Sequence, residues 1–147
     1  MIVNLDAYIA ELRTWIGTPF KHAGRTKGPE GGVDCGNLLA LSAINIGLPV
    51  ADTGEYADTD RLGAIIAFLK DYCEPVAVAD ILKHGPEPGD ILLFRGRRIM
   101  HHMGCITKEQ TMIHAWRTSG INKVVEVPVP QDWWDMLHSA WRPRQEL

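Results

Sequence analysis

Cys35 follows the run Gly31-Gly32-Val33-Asp34 and opens an apolar stretch, so a cysteine stands at the first turn of a helix behind a flexible approach. A helix start presents unpaired backbone N–H groups and partial positive charge, both of which favour a thiolate over a thiol. Asp34 is a natural N-cap, and its negative charge opposes the thiolate unless capping occupies the carboxylate. A nucleophilic thiol also needs a base within hydrogen-bond reach, and the base needs a polar group to fix its tautomer. His102 and His114 meet that need by strand parity. If Lys108-Glu109-Gln110 is the turn between two strands, Thr107 faces Thr111, Gly104 faces His114 and His102 faces Trp116. The two histidines are then diagonal neighbours on one face, within reach of each other. His101, Met103 and Cys105 point to the opposite face.

A zinc site built from His101, His102, Cys105 and His114 is the rival reading. It fails on geometry: consecutive strand residues point apart, and no ligand pair has the usual loop spacing. No cofactor is expected either, because no phosphate loop, dinucleotide fingerprint or GxSxG elbow is present. His84 and His138 sit in polar surroundings and read as solvated, as do Glu109 and Glu126. His22 lies in a glycine-rich loop, and its role is open.

The 147 residues suit one domain from end to end, with 46% hydrophobic residues and a net charge of -3. That balance is soluble and globular, and no basic stripe marks a nucleic-acid binder; Arg95-Gly96-Arg97-Arg98 is short and turn-like. Three cysteines with no CxxC spacing argue against a disulfide framework. No signal peptide and no membrane span are read, so the chain is expected to be cytoplasmic as synthesised.

Leu5, Ile9, Leu12 and Ile16 recur at helical spacing behind the cap residue Asn4, with Tyr8 and Trp15 flanking the stripe and Gly17 ending it. Residues Thr18 to Gly32 lose periodicity and read as a loop of functional length. Cys35, Leu38, Leu39, Ser42 and Ile46 form the stripe of a second helix ended by Gly47 and Pro49. A polar connection from Ala51 to Asp58 precedes a third helix, capped by Asp58 or Thr59, with Leu62, Ile65, Ile66 and Leu69 inward and Cys73 near its end. Val76-Ala77-Val78 reads as a short strand within an ambiguous segment reaching Pro88. Gly89–Arg95, Ile99–Thr107, Thr111–Trp116 and Val124–Val129 then read as strands joined by short connections. Trp133-Trp134 and Ala140-Trp141-Arg142-Pro143 add an aromatic cap and a last strand. Helices followed by a strand meander predict an α+β domain, helices on one antiparallel sheet.

Taken together, Trp15-Ile16-Gly17-Thr18-Pro19-Phe20, Val33-Asp34-Cys35-Gly36-Asn37-Leu38, Pro88-Gly89-Asp90-Ile91-Leu92-Leu93-Phe94, His102-Met103-Gly104 and Met112-Ile113-His114-Ala115 resemble the NlpC/P60 family in content and order. These are papain-like cysteine peptidases acting on bacterial cell-wall peptides. The resemblance implies that Cys35 is the nucleophile, His102 the general base and His114 the third residue, orienting His102 through a ring N–H. It implies a peptidoglycan stem peptide as substrate, cleaved between D-glutamate and the diamino acid. Among family branches the layout is similar to that of phage tails and gene-transfer agents, which implies tail proteins as partners and action at the wall. Asp34-Cys35-Gly36-Asn37 stands where the family commonly has Asp-Cys-Ser-Gly, and Phe20 where a tyrosine often supports the oxyanion. Phe20, His22, Asp34 and Asn37 are thus the implied substrate-side residues, His22 and Asn37 being candidates to replace the missing hydroxyl. The alternative implied by Phe20 is a tail-assembly or wall-binding module that kept the fold and lost efficient turnover.

Overall fold

The computed structural model describes residues 2–50, 61–96, 101–118 and 120–145. Helix α1 spans Leu5–Arg13, with the Asn4 side chain accepting from the Ala7 N–H at 3.1 Å. It ends a turn earlier than the apolar stripe suggests. The chain bends through Thr14 to Gly17, which has φ +91°, so Trp15 turns inward and Ile16 is left 46% exposed. Residues 18–32 carry more order than a loop: β1 (Arg25–Thr26) pairs with β2 (Gly32–Val33) in a small antiparallel hairpin. Helix α2 (Cys35–Asn45) follows, capped by Asp34.

The expected polar connection and the cap of the third helix lie outside the described residues. Helix α3 is Arg61–Tyr72. Cys73 does not extend it. It is the first residue of β3 (Cys73–Val76), buried where that strand meets the sheet, and helix α4 (Val78–His84) occupies the segment expected to hold Val78 in a strand. Pairing of Cys73–Val76 with the C-terminal strand outweighs local preference here.

Strands β4 (Ile91–Phe94), β5 (His102–Ile106), β6 (Met112–Thr118) and β7 (Ile121–Val127) form the expected antiparallel meander. The expected start of the second of these, at Ile99, falls outside the described residues. The β6–β7 turn is tighter than the connection expected between Trp116 and Val124, because pairing continues to Thr118 opposite Ile121. After a 3-10 turn at Gln131–Met136, β8 (Leu137–Pro143) returns between β3 and β4, giving the order β3-β8-β4-β5-β6-β7.

Alternation along the strands splits the core in two. Ile91, Leu93, Met103, Cys105, Ile113 and Ala115 face α1, α2 and α3 in the larger cluster, where Tyr8, Leu12, Leu38, Leu39 and Leu69 are buried. Leu92, Phe94, Ile106 and Met112 face a smaller cluster closed by Ile81, Trp133 and Leu137.

An ion pair pins the returning strand. Asp90 is fully buried and accepts from Arg142 Nε at 2.8 Å and Nη2 at 2.9 Å, while its Oδ2 also accepts from the Glu87 N–H. Replacing Asp90 with asparagine keeps the shape and removes the charge. The expected result is a loss of about 2 kcal/mol, the scale of a hydrogen bond to a charged group, read as a lower urea midpoint at unchanged slope.

Candidate active site

Asp34 joins the hairpin loop to the start of α2. Its Oδ1 accepts from the Asn37 N–H at 2.8 Å and its Oδ2 from the Ala23 N–H at 2.9 Å, and the carboxylate is fully buried. Both oxygens are therefore engaged with backbone donors beside Cys35, so capping occupies the carboxylate. The Lys21–Gly24 turn that delivers the Ala23 N–H is tight. Ala23 has φ +58°, and a Cβ on Gly24 would sit 2.5 Å from the Gly32 carbonyl oxygen.

Asn37 is buried and serves the same junction. Its Nδ2 donates to the Gly24 carbonyl at 3.1 Å, and its Oδ1 accepts from Arg25 at 3.4 Å. Phe20 lies alongside Val33 in a parallel bridge, half-buried against the larger core, with its N–H on the Asn122 carbonyl. His22 is exposed on the turn next to Ala23. The substrate-side residues implied by the family resemblance thus all border the α2 start. Two of them, Asp34 and Asn37, are used to hold it together.

Cys35 is buried at the head of α2, and its Sγ lies 3.8 Å from the carbonyl oxygen of His101. His101 has φ +55°, a left-handed conformation uncommon outside glycine and one that histidine adopts more readily than most residues. That bend aims the His101 carbonyl at the thiol and sends the chain into β5, whose first residue is His102.

His102 and His114 meet in the register expected from the three-residue turn. Cys105 pairs with Ile113 and Ile106 with Met112, and His102 Nε2 lies 2.6 Å from His114 Nδ1. One of these nitrogens must donate and the other accept. Gly104 makes the approach possible, since a Cβ there would lie 2.5 Å from Met112 Cγ and 3.0 Å from His114 Cβ. His102 is 9% exposed and His114 is fully buried. Burial pushes the His114 imidazole down to about 4, so it is neutral at physiological pH.

Two tryptophans wall the pair. Trp116 stacks on His114 with ring centroids 5.2 Å apart, and Trp133 stands nearly perpendicular to both histidines. Trp116 was findable from strand parity. Trp133 had no such signal, because it arrives on the 3-10 turn from a distant part of the chain. The thiols of Cys73 and Cys105 lie in the larger core away from these rings, and burial pushes both well up from the ordinary range. His84 and His138 are exposed. Among the described residues no three His, Cys, Asp or Glu side chains converge as a metal site, and no helix is long and apolar enough to cross a membrane.

Known structures share this arrangement of helices and sheet. The NlpC/p60 domain of the peptidoglycan hydrolase SagA matches with a TM-score of 0.58 at 20% identity, covering 94% of this chain and 97% of that one. The P60 domain of antigen MAP1204 from Mycobacterium avium subspecies paratuberculosis matches at 0.62 and 14% identity, covering 97% and 96%. The peptidoglycan hydrolase RipB from Mycobacterium tuberculosis matches at 0.62 and 15% identity, covering 97% of this chain and 65% of that one. No curated protein sequence matches the chain. Residues 17–142 match the model of the NlpC/P60 family, a span that includes Cys35, His102 and His114, and the chain belongs to that family.

Proposed function

We propose that this protein is a cysteine hydrolase that cleaves amide bonds in peptidoglycan stem peptides, between D-glutamate and the diamino acid. The observation that carries the reading is the 2.6 Å His102–His114 contact, set where the strand begins beside the Cys35 helix start. Family membership and the peptidoglycan hydrolases among its structural relatives support the substrate class.

In this reading His102 presents Nδ1 to Cys35 and donates Nε2–H to His114 Nδ1, the neutral acceptor. The thiol proton passes to His102 Nδ1, and the thiolate, favoured by the helix start, attacks the peptide carbonyl. The tetrahedral intermediate collapses as the His102 imidazolium gives that proton to the leaving amine. Water then gives a proton back to His102 and attacks the thioester, and the acid product leaves as the Cys35 thiol re-forms. Delivery to the wall by a phage-tail assembly belongs to the same proposal and rests on the family resemblance.

The deciding experiment is digestion of purified peptidoglycan with fragment masses determined. Release of fragments beginning with the diamino acid is expected, and an intact stem peptide after prolonged digestion would reject the reading. Phe20 favours a second reading, an NlpC/P60 module with weak turnover, because loss of one oxyanion donor costs about two to three orders of magnitude. Iodoacetamide near neutral pH separates the two readings. Fast, selective alkylation of Cys35 marks a live thiolate, whereas labelling as slow as at Cys73 and Cys105 marks the inert module.

A further inference from the structure

Trp133 touches both rings of the histidine pair, yet no step above uses it. Its ring centroid lies 5.4 Å from His102, 5.7 Å from His114 and 5.2 Å from Trp116, and Phe94 packs on it at 5.3 Å. The residue is buried, and its N–H donates to the Pro130 carbonyl, which fixes the turn that carries it. We propose that Trp133 is a positioning residue: with Trp116 it closes an apolar box around His114 and keeps that ring a neutral acceptor for the Nε2–H of His102.

The reason lies in proton placement. If His114 Nδ1 accepts, its proton sits on Nε2, and that atom is buried with no hydrogen-bond partner among the described residues. A protonated His114 carries a proton on both nitrogens. It would then donate to His102 Nε2 and force the His102 proton onto Nδ1, the atom that must take the proton of Cys35. Excluding water from His114 is therefore what keeps His102 in the base-competent tautomer. The titratable groups flanking the pair are His101 beside His102, Lys123 opposite Trp116 on β7, and the exposed Asp132 and Asp135 flanking Trp133, while Cys35 lies against the His101 carbonyl. The downward push on His114 comes from burial. A box that opens should therefore act directly on His114.

The test is 15N-histidine NMR titration of the full chain as the parent, Trp133→Ala and Trp133→Leu, alongside the pH profile of Cys35 alkylation. In the parent, His114 is expected to stay neutral with its proton on Nε2 until about pH 4. In each folded variant its proton affinity is expected to rise about tenfold or more, towards an ordinary imidazole. The acid limb of Cys35 alkylation should move up with it. If Trp133→Ala does not unfold cooperatively, the less disruptive Trp133→Leu decides. Folded variants that lose thermal stability while His114 titrates as in the parent would reduce Trp133 to packing and overturn the proposal. The proposal rests on His102 as base and His114 as its orienter. Slow Cys35 alkylation in the parent, together with a shifted His114 titration in the variants, would sink the hydrolase reading while supporting Trp133's hold on His114.

Discussion

Cys35→Ser is expected to lower kcat/KM on peptidoglycan by on the order of a million-fold, the scale seen when a nucleophile is removed from residues that act as a unit. Serine keeps the size and hydrogen-bonding capacity of the side chain but not its acidity. A helix start favours a thiolate over a thiol, whose ordinary pKa is about 8.5, and the Asp34 oxygens beside it are taken up by the Asn37 and Ala23 N–H groups. The same surroundings cannot bring a hydroxyl into range. His102→Ala should cost about as much, and the double variant no more than either single one, because in the proposed mechanism the base has no task without the thiol and the thiol no base without the imidazole. His114→Ala should cost less, since it acts through His102, and its loss should be confined to kcat. Fragment release by Cys35→Ser within tenfold of the parent would show that the thiol is not the nucleophile.

Residues close together in sequence were the legible part of this molecule. Cap residues and apolar periodicity were enough to place α2 and its cysteine, because Asp34, Cys35, Leu38 and Leu39 act within one or two turns. Strand parity was enough to bring His102 and His114 together, because the Lys108–Gln110 turn sets the β5–β6 register and a one-residue slip would have turned Met103 and Cys105 out of the core. Features that depend on distant partners were not legible. Cys73 looks like the end of a helix until β8 returns to pair with it. Val78–His84 has too short a pattern to declare itself, and only Ile81 is buried from it. Within the site, Asn37 looked like a spare donor for the oxyanion. In the fold it braces the hairpin through Gly24, a contact set by the turn around Ala23 and invisible to spacing. Trp133 was hidden for the same reason, since a 3-10 turn has no long periodic face and its target lies on other strands.

Gly104→Ala places a single methyl group where the two histidines converge, and it is expected to damage both stability and rate. The Cβ would stand 2.5 Å from Met112 Cγ, 2.7 Å from its Sδ and 3.0 Å from His114 Cβ. Met112 is fully buried in the smaller core and can swing away only by disturbing its neighbours there, among them Leu92 and Phe94. Overpacking of this kind costs about 1–3 kcal/mol, read as a lower thermal midpoint. The larger consequence is at His114, which is attached at the crowded Cβ and is held by Trp116 on one side and Trp133 on the other. It cannot retreat without lengthening the 2.6 Å contact to His102. A displacement near 1 Å in such a site costs about a hundredfold in rate, and the shift asked of His114 is a few tenths of an ångström, so kcat should fall by about tenfold while KM changes little. Alkylation of Cys35 should lose its dependence on the His102 tautomer in parallel. Adding Met112→Ala removes the two closest contacts of the methyl group and should restore the part of the rate lost through Met112, although the cavity lowers stability further. If Gly104→Ala turns over at the parent rate despite a lower midpoint, the close approach of the two histidines is not what the glycine protects. If Met112→Ala restores nothing, the damage does not come from crowding against Met112. The glycine two residues after His102 is therefore a steric requirement of the histidine pair: only a residue without a Cβ lets His114 come within hydrogen-bond distance of His102 across the strands.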